Sequence, residues 1–133
     1  MRKGFLIMLV AIFLSACNSV KDSDIVLEQE EIITNSDKFE AFIENLKNGK
    51  KDNIRIVQRT TEGDPLFNTL DYNGQTITYT YDDSQDKFGG SSTGLESGTC
   101  EHLESEKSEK GKRYYLIGCS SEVGEYFEFE VLE

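Results

Sequence analysis

The apolar positions change their period twice along this chain. An unbroken run of ten, Phe5 to Leu14, comes first. Further on, Phe39, Phe42, Ile43 and Leu46 recur at i, i+3, i+4 and i+7, the spacing of one face of an α-helix. From Asn53 onward the period is two, which is the signature of strands with one buried face. The helical spacing predicts a helix over about Asp37 to Asn48. Thr34, Asn35 and Ser36 offer N-cap chemistry before it, and Gly49 is placed for a left-handed C-cap behind it. Lys47, Lys50 and Lys51 then compensate the helix dipole at its C-terminal end.

The period-two region divides into strands. Asn53 to Thr61 puts Ile54 and Ile56 on one face and Arg55, Val57 and Arg59 on the other, and Glu62-Gly63-Asp64-Pro65 follows as a turn. Leu66 to Tyr72 and Gln75 to Tyr81 flank Asn73-Gly74, a hairpin signal. A two-residue turn there pairs Leu70 with Ile77, Asn68 with Tyr79 and Leu66 with Tyr81, leaving Thr76, Thr78 and Thr80 on the opposite face. Asp82 to Ser97 is rich in Gly, Ser, Thr and Asp and predicts a long loop. Thr99 to Ser105, Arg113 to Ser120 and Tyr126 to Leu132 complete the strands, the last with Phe127, Phe129 and Val131 on one side. The expected fold is α+β: one amphipathic helix packed on a mostly antiparallel sheet of five or six strands, tied by one disulfide.

The first apolar run falls well short of the roughly 20 residues that cross a bilayer as a helix. It follows Met1-Arg2-Lys3 and precedes Leu14-Ser15-Ala16-Cys17, so it reads as a secretory signal ending in a bacterial lipobox. On that reading residues 1–16 are the signal peptide and Cys17 is the lipidated first residue of the mature chain. Residues 17–31 are an acidic tether, and residues 32–133 form one small domain. Two acyl chains on the Cys17 sulfur suffice for stable anchoring. A flexible tether would hold the domain on the order of 20 Å from the bilayer. Ile25-Val26-Leu27 offers an alternative, an edge strand that shortens this reach.

Composition and charge narrow the function. Hydrophobic residues at 37%, with 8 Phe and 6 Tyr, suffice for one modest core. The whole chain carries a formal charge of -11, and removing the signal leaves 12 basic against 25 acidic side chains, or -13. A field of that sign repels phosphate, which argues against nucleic acid as a partner.

With Cys17 assigned to lipid and the chain outside the cytosol, Cys100 and Cys119 are expected to pair. Placing them opposite one another in a hairpin also sets Leu103 against Leu116 and centres the turn on Glu109-Lys110. Closing about twenty residues contributes roughly 3 kcal/mol in the chain-entropy treatment. Cys100, His102 and Cys119 could alternatively hold zinc, but no fourth ligand is signalled and no CxxC exists. His102, the single histidine, is expected opposite Ile117 across the hairpin.

HExxH, P-loop and GxGxxG motifs are all absent, and no catalytic residue or cofactor is indicated. Asp82, Ser84 and Asp86 occupy positions one, three and five of a calcium loop, yet Lys87 stands where that loop needs Gly and Thr93 where it needs Glu. Asp82, Asp83 and Asp86 are also the carboxylates available to a hydrolase using the 82–90 loop.

The run Lys50-Lys51-Asp52-Asn53-Ile54-Arg55-Ile56, with Glu62-Gly63-Asp64-Pro65, Leu70-Asp71-Tyr72-Asn73-Gly74, Asp86-Lys87-Phe88-Gly89 and Gly118-Cys119, resembles the domain of unknown function 4362 of small Gram-positive lipoproteins. The likeness covers about Asp37 to Cys119. It implies a lipid-anchored extracytoplasmic domain and no activity. The expectation is therefore a membrane-anchored, non-catalytic binding domain whose protein or cell-envelope partner is unspecified. Tyr79, Tyr81, Tyr114 and Tyr115 are its expected half-exposed aromatics.

Overall fold

Residues 19–29, 31–86 and 94–133 are described by the computed structural model. In chain order they form β1 (Ile25–Glu28), β2 (Glu31–Thr34), α1 (Ser36–Lys47), β3 (Asp52–Arg59), β4 (Pro65–Tyr72), β5 (Ile77–Asp82), β6 (Leu95–Cys100), β7 (His102–Lys107), β8 (Gly111–Ile117), α2 (Glu122–Glu125) and β9 (Glu128–Leu132). The class is α+β, but the expectation of a single, mostly antiparallel sheet and one helix is corrected. Among the described residues a six-stranded sheet runs in the order β2-β1-β3-β4-β5-β6, and a second sheet runs β7-β8-β9. The first sheet is mixed because β1 pairs parallel with β3. The added helix is the four-residue α2.

Both sheets share one ribbon. Leu103 pairs with Leu116 and His102 with Ile117, as the spacing predicts, and the same register carries on to hydrogen bonds between Thr99 and Ser120. Residue 101 therefore faces residue 118, and there the ribbon turns a corner from one sheet into the other. Gly118 makes this corner possible: its φ is 66°, and a Cβ on it would collide with the Glu101 side chain. The expected single strand from Thr99 to Ser105 is thus split into β6 and β7.

The β4–β5 hairpin also departs from expectation by two residues. Tyr72 pairs with Ile77, Leu70 with Tyr79 and Asn68 with Tyr81. Asn73 causes the shift, since its Oδ1 accepts from the Gln75 and Thr76 amides, each at 2.8 Å, which moves the turn to Gly74-Gln75. A shift of two preserves which face each side chain occupies, so the buried set stays together.

That inner face of the large sheet, with Ile25, Ile54, Ile56, Leu70, Tyr72, Ile77 and Tyr79, is the floor of the core. Phe39 and Phe42 of α1 cover one part, and Leu116, Phe127 and Phe129 of the second sheet cover another. Phe39 stands edge-on to Tyr114 at 5.0 Å and to Phe129 at 5.4 Å, joining helix and second sheet. Cys100 and Cys119 form the disulfide beside the corner.

The N-terminal segment is clasped onto the opposite, outer face of the large sheet. Ile25-Val26-Leu27 is buried in β1, an interior strand, so the span expected as a tether belongs largely to the fold. Asp24 is buried and receives Nε and Nη2 of Arg55 at 2.8 and 2.6 Å, together with the Lys21 amide at 2.7 Å. Arg55 Nη2 also donates to the Ser19 carbonyl at 2.8 Å, and its guanidinium lies over the Phe67 ring. Thr34 and Asn35 complete the clasp by donating to the Asp24 carbonyl. Asn35 occupies the N-cap position of α1 with a left-handed φ of 57°, but its side chain holds the N-terminal segment instead of capping the helix. Gly49 takes the expected left-handed conformation at the other end.

Burial pushes the Asp24 carboxyl up, but hydrogen bonds from Arg55 and the Lys21 amide, with the Arg55 charge, outweigh it and hold the group below its ordinary value. A lowered carboxyl pKa stabilises the fold above the ordinary value of 3.8 and loses that contribution as pH falls below it. Protection of the residue 20–24 amides, taken relative to the intrinsic exchange rate at each pH, should therefore be high at pH 5 and fall as the pH drops below about 3.8. Asp24→Ala should remove the protection at every pH and destabilise the domain by roughly 2 kcal/mol, since it strands a charged, half-buried Arg55. Unchanged exchange in the variant would count against the clasp.

Candidate functional site

A cleft of about 320 Å³ opens where the end of the large sheet meets α2 and the start of β9. Strand alternation builds its first wall: Gln58 of β3, Leu66 and Asn68 of β4, Tyr81 of β5 and Glu96 of β6 share the inner face in register. The second wall is Val123 and Tyr126-Phe127-Glu128. Between them the floor is polar and closed. Tyr79 donates its hydroxyl to Asn68 Oδ1 at 2.7 Å, and Asn68 Nδ2 donates to the Ile56 carbonyl and to Gln58 Oε1. Tyr79, expected half-exposed, is only 3% exposed because Phe127 packs on it at 4.9 Å. Tyr126 at the rim is 79% exposed.

The cleft is electronegative. Burial pushes the Tyr79 hydroxyl well up, with help from Tyr81 and Glu96. Burial likewise raises Tyr81, and Asp83, Asp86 and Glu96 add to it. Both phenols stay protonated donors at neutral pH, and the carboxylates of the 82–86 segment act on the site from one side.

A larger groove of about 890 Å³ runs between α1 and β8–β9. Its charges are already paired in part, with Lys112 3.8 Å from Glu133. The smaller cleft is the better-built site.

Comparison with known proteins adds one fact. The profile of a family described as a domain of unknown function, DUF4362, matches residues 22–115. This chain belongs to the DUF4362 family. No curated protein and no solved structure matches it. The DUF4362 match begins earlier than the resemblance noted in the sequence, taking in Asp24, Thr34 and Asn35 of the clasp along with Arg55. It ends before Gly118, Cys119 and the wall formed by Tyr126 to Glu128, so it spans one wall of the cleft and not the other.

The residues singled out from the sequence fall in different places within the DUF4362 fold. Cys17 lies outside the described residues. Cys100 and Cys119 are bonded to each other, so neither is a thiolate for zinc, and His102 lines a separate groove with Leu46 and Tyr72. Asp82 is buried and belongs to the outer face, opposite Leu95, with its Oδ1 accepting from the Ser84 amide at 2.9 Å. Asp83 Oδ1 accepts from the Gly94 amide, closing the loop on itself. Asp82 and Glu96 therefore lie on opposite faces and do not share a cleft. Lys87 and Thr93 lie outside the described residues. Among the described residues no three or more His, Cys, Asp or Glu side chains gather as metal ligands, and no helix is long and apolar enough to cross a membrane.

Tyr126, Glu96 and Asn68 were not legible as site residues. Glu96 fell inside the expected loop, and Tyr126 was assigned to a strand. Only the Leu66-x-Asn68 alternation, which places an amide at a core position, hinted at a buried polar floor.

Proposed function

We propose that this is a lipid-anchored extracytoplasmic lipoprotein that acts as a non-catalytic binding domain through the Tyr81–Tyr126 cleft. The observation that carries the binding role is the Tyr79–Asn68–Gln58 hydrogen-bonded floor beneath exposed aromatic and carboxylate groups. Such a floor is pre-organised, which lowers the ordering cost of receiving a partner. The walls present aromatic surface, amide and carboxylate, the groups of recognition. The address rests on the order of Arg2-Lys3, the ten-residue apolar run and Leu14-Ser15-Ala16-Cys17, and its partner on one side is the membrane.

Two measurements test this reading. Labelled fatty acid should enter the wild-type protein and not Cys17→Ala; equal labelling would remove the anchor. A photo-crosslinker at position 126 should capture a surface partner from intact cells that the same group at position 104, on the outer side of the second sheet, does not. Equal capture from both positions would remove the cleft from the argument.

A further inference from the structure

The outer face of the large sheet is the feature that the core and the cleft leave unused. Successive outward positions across β3 to β6 are, in register, Asn53, Asp71, Thr78 and Thr99, then Arg55, Thr69, Thr80 and Ser97, then Val57, Phe67, Asp82 and Leu95. Arg59 and Pro65 end the array. Five of these positions are threonine or serine, Val57, Phe67 and Asp82 are buried, and with Asp24 held on Arg55 the charges are two arginines against three aspartates. In a chain of formal charge -11 this face is nearly neutral. Neither α1 nor the second sheet covers it, since both pack on the inner face.

The N-terminal segment leaves the fold on this same face. Val20 packs with Val26, Val57 and Phe67, and the Ser19 carbonyl is held by Arg55. Asp24 locks that arginine from the other side through two hydrogen bonds, and Lys38 Nζ donates to the Ser23 carbonyl at 3.3 Å. The proposed lipidated Cys17 is two residues before Ser19, a reach of at most about 7 Å of extended chain. A segment gripped at so many points cannot act as the coil of on the order of 20 Å that its composition suggests.

We infer that the Asp24–Arg55 clasp holds the outer face of the six-stranded sheet against the phospholipid headgroup layer of the membrane bearing the anchor. This rests on the lipidation reading above and adds an orientation to it. The threonine and serine hydroxyls suit an interfacial layer of phosphates and esters, while Arg55 stays engaged with Asp24. The acidic remainder of the domain is turned away from an anionic leaflet, where each like charge would otherwise be repelled within a Debye length.

The chain contains no tryptophan, so single tryptophans report without background. Thr78→Trp is on the outer face, and Glu104→Trp, opposite Tyr115, is on the far side of the second sheet. Full-length lipidated protein carrying each substitution is reconstituted into phosphatidylglycerol–phosphatidylethanolamine vesicles containing a lipid with a nitroxide on its headgroup. Circular dichroism confirms folding, and mass spectrometry checks diacylation of Cys17 in the same samples. Position 78 should be quenched several-fold more strongly than position 104. Adding Asp24→Ala should bring the two toward equality while leaving the protein on the vesicle. Diacylated protein with equal quenching at both positions, or stronger quenching at 104, overturns the orientation and leaves lipidation standing. An Asp24→Ala background that keeps the full difference overturns the clasp as its cause. An unmodified Cys17 in the mass spectrum overturns both the lipidation reading and the orientation built on it.

Discussion

Replacing Cys100 and Cys119 together with alanine should lower the stability of the domain by roughly 3 kcal/mol, the chain-entropy value for a loop of this size. The bond spans 19 residues and joins the end of β6, in one sheet, to the chain just after β8, in the other. It fastens the ribbon where it turns its corner, so without it the corner depends on hydrogen bonds such as those between Thr99 and Ser120. Local packing adds to the effect. Cys100 is fully buried, and Gly124 of α2 lies so close to both sulfurs that a Cβ there would collide with them. Truncation to alanine leaves a void under α2, and the Val123–Glu128 wall of the cleft loosens with it. The checks are a urea midpoint, lowered without a large change in slope, and faster amide exchange over residues 122–128. A wild-type midpoint in the double variant would show that the corner is self-supporting.

The second large effect is expected at Phe42→Ala, at about 3–5 kcal/mol, the range for deleting a fully buried aromatic ring. Phe42 is 0% exposed and, with Phe39, carries α1 into the core of the large sheet. Its neighbours on the helix face, Ile43 and Leu46, are only partly buried and cannot take over the contact. For a domain with 5–15 kcal/mol of total stability, such a loss brings unfolding within reach of physiological temperature. Phe42→Leu should recover more than half of the deficit in the same denaturant titration. If alanine and leucine behaved alike, the ring would not be filling the core space the structure gives it.

How much of this could be read beforehand depends on the range of the interaction concerned. The helix was legible because Phe39, Phe42, Ile43 and Leu46 declare its face within eight residues. The β7–β8 hairpin was legible to the exact pair because charge at its tip and leucines at its base leave one register. The β4–β5 register missed by two because Asn73 closes the turn through its own side chain, a local choice that Asn-Gly leaves open. Asp24 looked like one more acid in an acidic tract. What buries it is an arginine 31 residues away, and no periodicity carries that information. The parallel pairing of β1 with β3 was hidden for the same reason, and the corner at Gly118 needed a second layer to exist before a lone glycine could signify one. Of the cleft, Tyr79 and Tyr81 were visible as strand aromatics. Glu96 and Tyr126 became neighbours only through the turn between the two sheets.

The place of β1 has a practical consequence for anyone cutting this protein down. Among the described strands, β2 is hydrogen-bonded to β1 alone, and β1 fills the gap between β2 and β3. A recombinant fragment starting after residue 28 would therefore strand β2 and uncover β3 where β1 pairs with it, leaving unsatisfied amides and carbonyls around Ile56 and Val57. Open borders of that kind invite neighbouring molecules to add on, so such fragments should precipitate or form strand-linked multimers, while fragments that begin at Ser19 stay monodisperse.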